Sequence, residues 1–166
     1  MTWSEGERKR VLRSLLIAAP GEGVWEVLGD FRRPEAWLPG IEHVEITETI
    51  PGRIQRLCAT VLGDFRESLI DSGTQWQVYT IDRSSLFVTD YRALLAVKSL
   101  DANSCGLLWA ASFLVSSTAD PALGDAIVRI FDTGVSRICK MFPAESDSAD
   151  RWRHWNFPLD RIGWRQ

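Results

Sequence analysis

The residues of this chain best suited to chemistry are Glu67, Tyr79 and Tyr91. Glu67 stands in the segment FRESLIDS, where Phe65 and Leu69 fall on its side of an extended chain. A carboxylate among aromatic and apolar neighbours is desolvated, which raises its pKa and fits it to act as acid or base near neutral pH. A tyrosine hydroxyl donates a hydrogen bond to a developing enolate or phenolate oxygen. Base, donor and a dry cavity that fixes the shape of its contents are what cyclisation and dehydration of a polyketone need. Two other uses of Glu67 compete with catalysis: a polar contact to a bound ligand, and an ion pair with Arg56 or Arg53 on the neighbouring strand.

Other chemistries find little support. The three cysteines, Cys58, Cys105 and Cys139, are widely spaced and form no CxxC motif, so neither a disulfide framework nor a zinc site is expected. Only His43 and His154 are present, and His43, between Glu42 and Val44 on a strand, reads as a surface residue. Asp30, just before Arg32 and Arg33, reads as a cap or ion-pair partner, and Asp90 points away from the side that Tyr91 takes. Ser84 and Ser85 have no matched His and Asp, which speaks against a hydrolase triad. Gly21-x-Gly23 is too sparse for a nucleotide loop. No cofactor and no metal are expected. With 19 basic and 22 acidic residues the net charge is −3, which offers no electrostatic reason to bind nucleic acid or an anionic membrane. No apolar run approaches the roughly 18 residues of a membrane span, and MTWSEGERKR lacks the apolar stretch of a signal peptide. The expected location is the cytoplasm.

Short strands separated by turn residues must position these groups. Residues 1–10 are polar and read as frayed, and residues 11–19 read as a strand ended by Pro20-Gly21. Val24, Trp25, Val27, Leu28 and Phe31 then recur at helical spacing, and RPEAWLPG adds a second helical turn. Strands follow over 41–48, 53–62, 65–72, 76–84, 91–101 and 105–116, with turns at Pro51-Gly52, Gly63-Asp64, Ser72-Gly73 and Asn103-Ser104. Asp120-Pro121 opens a long helix over 122–142, with Leu123, Ile127, Ile130, Phe131, Ile138 and Phe142 on one side. Curved antiparallel sheet on a C-terminal helix is the α+β arrangement that buries both apolar faces. The acidic stretch PAESDSAD reads as a linker, and RWRHWNFPLDRIGWRQ, with three of the eight tryptophans and four arginines, as a tail. The chain thus divides into a ligand domain over 1–142 and a linker plus Trp/Arg-rich tail over 143–166.

This order resembles the START-like, or SRPBCC, superfamily, above all its bacterial polyketide cyclase/dehydrase branch, and also the plant hormone receptors and pathogenesis-related proteins that share the fold. Pro20 with VWEVLGDF resembles the opening strand-to-helix segment, and EAWLPGIEHVEI the second helix and strand. PGRIQRL with FRESL resembles the family's G-x-x-R and E-x-L pair, SSLFVTDYRA the strand carrying a cavity tyrosine, and LWAASF the penultimate strand. The likeness spans residues 11–142 and leaves out the tail. It implies a helix-grip fold: a sheet of about seven strands wrapped on a long C-terminal helix, with two short helices after the first strand and a deep cavity between sheet and helix. It also implies that Glu67 points inward.

With that anchor, alternation assigns the inward face: Phe65, Glu67 and Leu69; Gln77, Tyr79 and Ile81; Tyr91, Ala93, Leu95 and Val97; Leu107, Trp109, Ala111 and Phe113. The long helix offers Ala126, Ile130, Gly134 and either Ser136 or Arg137, and Trp37 stands at the mouth. Glu67 and Tyr91 are the expected catalytic pair. Trp37, Phe65, Tyr79, Tyr91, Trp109, Phe113, Ile130 and Gly134 are the expected ligand contacts. The small Ala93, Ala111, Ala126 and Gly134 are expected to leave the cavity its volume. On the outer face Leu94, Ala96, Leu108, Ala110 and Leu114 form an apolar patch, to be covered by the tail or by a second subunit in a homodimer. Two functions remain: a cofactor-free cyclase, aromatase or dehydratase acting on a polyketide-like or other hydrophobic natural product, and a carrier or sensor of a small hydrophobic ligand. The short turn TVLGDFR and the absence of the receptor branch's lid sequence from LFVTD speak against a receptor.

Overall fold

The computed structural model describes residues 6–84, 86, 88–116 and 122–164. Ser85 and the Asp120-Pro121 step, both singled out above, lie outside that set, as does the side chain of Leu123.

One antiparallel sheet carries the fold. Its strands are β1 (Glu7–Ile17), β2 (Ile41–Ile50), β3 (Arg53–Thr60), β4 (Gly63–Gly73), β5 (Trp76–Ser84), β6 (Val88–Asp101), β7 (Ser104–Val115) and β8 (Ala144–Ser146). They lie in the order β2-β3-β4-β5-β6-β7-β1-β8. Helix α1 (Gly21–Leu28) and a short 3₁₀ turn (Pro34–Ala36) follow β1, and the long helix α2 (Ala122–Met141) follows β7. This is the helix-grip α+β arrangement, with an eighth strand added by the C-terminal segment.

Two local readings need correction. Residues 7–10 are not frayed: Glu7–Arg10 pair with Ser112–Val115 of β7. Their charged side chains hide the strand because none of them is buried. The stretch read as a linker is in part a strand, since Ala144–Ser146 pairs with β1 between Leu15 and Ile17.

Apolar side chains on both faces of the central strands give the molecule two cores. The larger lies between the concave face of the sheet and both helices, and includes Val11, Leu15, Tyr91, Trp109 and Phe113 from the sheet with Ile127, Phe131 and Ile138 from α2. The second lies on the outer face, where Val78, Leu94, Ala96, Leu108 and Ala110 are buried by Trp152, Trp155, Leu159 and Ile162 of the C-terminal segment. Leu114 is half-buried and stands outside this second cluster. Of the two coverings expected for this face, the tail or a second subunit, the chain's own tail is the one found.

Specific contacts hold the tail in place. Asp147, itself buried, accepts hydrogen bonds from the Ser14 hydroxyl at 3.1 Å and from the backbone N–H groups of Arg151 and Trp152 at 2.9 and 3.0 Å. It caps the 3₁₀ turn Arg151–His154 as an N-terminal acceptor would. Arg161 pairs with Asp71 and lies over the Trp76 ring at 5.2 Å, and Arg10 lies over Trp164 at 5.2 Å. Gly106 makes room for the closest approach: a Cβ there would stand 2.3 Å from the ring of Trp155.

β-Bulges bend the sheet where the candidate catalytic residues sit. The β4–β5 register shifts between Arg66 and Glu67, and the β6–β7 register between Thr89 and Arg92, on either side of Tyr91. Asp90 takes a left-handed conformation at φ 47°, one that Asp tolerates better than most residues, and its carboxylate binds Arg8 at 2.6 Å. Such bulges re-aim side chains and increase local twist.

Candidate active site

A cavity of about 410 Å³ opens between the concave face, α2, the loop after the 3₁₀ turn and the β3–β4 turn. This is a usual size for a small-molecule site, roughly 300–1,000 Å³. Its aromatic wall consists of Trp37, Phe65, Tyr79, Tyr91, Trp109 and Phe131. Glu67 and Ile130 also line it.

Two of the expected ligand contacts are not at the surface of the cavity. Phe113 is fully buried behind Tyr91, the rings stacked at 5.6 Å, so Tyr91 screens it. Gly134 is covered by aromatic rings: a Cβ there would meet Trp109 at 2.7 Å and Trp37 at 3.2 Å. Its small size lets α2 press on the two tryptophans; it adds no volume. Ala93 and Ala111 are likewise fully buried and do not line the space, whereas Ala126 does. Ser136 and Arg137 are exposed on the far side of α2. Trp37, placed at the mouth by the sequence, is buried and meets Trp109 edge-on at 5.0 Å. Trp109 in turn stacks on Phe131 at 3.8 Å.

At one end of this apolar space stands a compact polar group. Arg56 and Glu67 are direct cross-strand partners on β3 and β4. Arg56 Nε donates to Glu67 Oε1 at 3.1 Å, with the two side chains only 5% and 12% exposed. The guanidinium is anchored further: Nη1 donates to the Phe31 carbonyl at 3.0 Å, and the group lies over the rings of Phe31 at 4.0 Å and Tyr79 at 5.1 Å. Burial disfavours its charge, but Glu67 together with Tyr79 and Cys58 more than offsets that, and the Arg56 pKa rises. Of the uses the sequence leaves open for Glu67, the ion pair with Arg56 is formed, and both Arg56 and Glu67 face the cavity. Cys58, two residues along β3, points its thiol at the same Oε1 at 3.7 Å. Among the described residues both hydrogen bonds to the Glu67 carboxylate fall on Oε1.

The tyrosines form the second half of this pole. Trp109 Nε1 donates to Tyr79 Oη at 2.9 Å. An indole nitrogen only donates, so Tyr79 accepts there and retains its own proton to give. The Tyr91 ring packs beside that of Tyr79, tilted, with centroids 6.5 Å apart. Burial above all pushes both hydroxyls well above their ordinary pKa, and the charge of Glu67 adds to it. They are neutral donors across the physiological range and not bases.

The sequence reading named Arg56 only as a competing ion-pair partner and did not place Cys58, Thr60 or Phe131 at the site. The residues set aside above stay apart from it: His43 is exposed and Asp30 accepts from the backbone N–H of Arg32. Among the described residues no group of three His, Cys, Asp or Glu side chains is placed to hold a metal ion. Nor is any helix long and apolar enough to cross a membrane.

Cysteine reactivity gives a direct check on this burial. Desolvation first, then the charge of Glu67, pushes the Cys58 thiol up to about 12, and desolvation pushes Cys105 up to about 11. A thiol reacts through its thiolate. Iodoacetamide at pH 8 is therefore expected to label only the exposed Cys139 in the folded protein and all three cysteines in urea. Mass spectrometry counts the adducts, and rapid native labelling of Cys58 would contradict the described burial.

A curved sheet gripping a long helix around an aromatic cavity with one polar end defines a hydrophobic-ligand fold. The family model for polyketide cyclase/dehydrase and lipid transport proteins matches residues 8–140, and the chain belongs to that family. None of the curated proteins matches it. Among solved structures, the protein XoxI from Bacillus cereus is similar at 25% identity and TM-score 0.71, over 80% of this chain and 94% of that one. The Zhui aromatase/cyclase from a Streptomyces species superposes with TM-score 0.60 at 20% identity, over 79% of this chain and 86% of that one. Norcoclaurine synthase from Thalictrum flavum does so with TM-score 0.64 at 16% identity, over 85% and 97%. At these last two identities the likeness is one of fold.

Proposed function

We propose that this protein is a cofactor-free cyclase or dehydratase acting on a polyketide-like, hydrophobic intermediate held in the cavity. The observation that carries this reading is the Arg56–Glu67 pair at the polar end of an otherwise aromatic space. A buried ion pair contributes little net stability compared with apolar residues of the same volume, so a container for greasy molecules gains little from one, whereas a proton-transfer site does. Membership of a cyclase/dehydrase and lipid transport family supports the reading, and so does the shared fold with an aromatase/cyclase.

In this reading Glu67 removes a proton from the acidic carbon between two carbonyls of the substrate. The enolate oxygen is met by Arg56 and by the Tyr79 hydroxyl, whose orientation is fixed by Trp109. The enolate carbon then attacks a second carbonyl of the same chain, forming a carbon–carbon bond. The resulting alkoxide takes back the proton held by Glu67. Glu67 then removes a second proton from the same carbon and hands it to the departing hydroxyl, which leaves as water and gives the unsaturated ring. Tyr91, expected as a catalytic residue, lines the same wall and serves here to shape the substrate and hold Tyr79. The aromatic walls set the fold of the substrate and exclude bulk water, which strengthens each of these interactions.

The test uses an aryl-primed poly-β-ketone presented as a simple thioester. Wild type is expected to convert it to a cyclised product lighter by one water, seen by mass spectrometry. Glu67→Gln keeps the shape and is expected to lower kcat by about 10²–10⁴-fold while leaving binding nearly intact. Recovery of the unchanged compound, bound equally by wild type and variant, would replace this reading with that of a carrier.

A further inference from the structure

The proposed reading leaves open what the mouth of the cavity recognises. Three of the lining residues carry charge: Arg56, Glu67 and Arg129. The first two neutralise each other inside, which leaves Arg129 as the unbalanced charge of the site. It is exposed on α2, one turn before Thr133, whose hydroxyl is spent on the Arg129 carbonyl at 2.7 Å. Its guanidinium has no ion-pair or hydrogen-bond partner among the described residues, whereas the nearby Asp132 is taken by Arg13 at 2.7 Å. The rest of the rim is apolar: Val61, 74% exposed, and Leu62, 46% exposed, form the β3–β4 turn, and Leu38 and Pro39 lie in the facing loop.

We infer that Arg129 is a specificity residue that selects ligands bearing an anionic group at the end left outside, so that the substrate class is an amphiphilic acid whose apolar body fills the cavity. The geometry divides such a molecule naturally. Its rings or chain pass between Val61–Leu62 and α2 into the aromatic interior, its carbonyl oxygens reach Arg56 and Tyr79, and its carboxylate or phosphate stays in water at Arg129. A guanidinium in this position draws anionic ligands to the mouth, holds the orientation in which the reactive end enters first, and gives a salt-dependent affinity. The inference rests on the cavity being the ligand site, as proposed above.

The experiment compares two probes of nearly one shape, 2-naphthoate and the neutral 2-naphthamide, by quenching of tryptophan emission from Trp37 and Trp109. Wild type is expected to bind the acid more tightly than the amide at low salt, and the difference to shrink as salt is added. Arg129→Gln is expected to weaken naphthoate about fivefold, the scale of a partly exposed ion pair, and to leave naphthamide unchanged. Arg129→Lys keeps part of the preference. The exposed helical position tolerates both changes. Equal loss of both probes in Arg129→Gln, or no loss of either, overturns the role of Arg129 while the cavity reading stands. Failure of both probes to bind wild type removes the cavity reading and this inference with it.

Discussion

Arg56→Met is expected to destabilise the protein by about 3–5 kcal/mol, because it leaves the Glu67 carboxylate buried without its cation. The geometry sets the size of the effect. Glu67 is 12% exposed, and its Oε1 is held by Arg56 at 3.1 Å and Cys58 at 3.7 Å. A neutral thiol cannot replace a guanidinium as partner for a charge. Arg56 also covers the faces of Phe31 and Tyr79 and satisfies the Phe31 carbonyl, so methionine restores bulk but none of the donors. The double variant Arg56→Met, Glu67→Leu removes both charges and is expected to regain most of the loss, since apolar pairs of similar volume replace buried ion pairs at little cost. Urea denaturation of the two single variants and the double variant gives the coupling between the residues. Additive single effects would show that the pair does not act as a unit. The double variant also separates stability from function: it folds, yet it is expected to cyclise nothing.

The hairpin that sets Arg56 opposite Glu67 shows which parts of the fold were legible. Turn residues and the change from period two to helical spacing mark the order of strands and helices, because Pro20-Gly21, Pro51-Gly52 and the Asn103-Ser104 step interrupt strong apolar patterns. The exact position of one turn decides the chemistry. Placed at Gly63-Asp64, the β3–β4 turn would bring Thr60 opposite Glu67. The chain turns instead at Val61-Leu62, with Gly63 at φ 102° opening β4, and this brings Arg56 opposite Glu67 and Cys58 opposite Phe65. Two apolar residues in a hairpin turn run against the usual turn chemistry, and they are there as the lip of the cavity. Alternation likewise separates faces but not depths. It put Tyr91 and Phe113 on one side correctly, and only the packing shows that the first screens the second. Gly134 misleads for the same reason, since a missing side chain marks either open space or a neighbour pressed close.

Trp155→Ala is expected to cost about 3–5 kcal/mol, as large a loss as emptying a core aromatic site, although the residue lies in a segment whose composition reads as a linker and tail. Trp155 is 8% exposed and packs against Gly106 on β7, within a cluster built from Leu94, Ala96, Leu108 and Ala110. For a chain of 166 residues that loss lowers Tm by about 10 °C. Truncation after Ser146 goes further. It removes Trp152, Trp155, Leu159 and Ile162 together and opens a contiguous apolar face on the central strands. Exposed patches of that kind drive association, so the truncated chain is expected to self-associate in light scattering and to bind a hydrophobic dye that the full chain does not. The cavity lies on the opposite face of the sheet, so Trp155→Ala, measured well below its Tm, is expected to bind 2-naphthamide as the full-length protein does. A truncated chain that remains monomeric and melts with the parent would mean that the tail adds nothing to the fold. Loss of probe binding in folded Trp155→Ala would mean instead that the two faces communicate through β6 and β7. The outer face thus answers in one measurement what the inner face cannot: whether the tryptophans of the tail belong to the architecture or to the ligand.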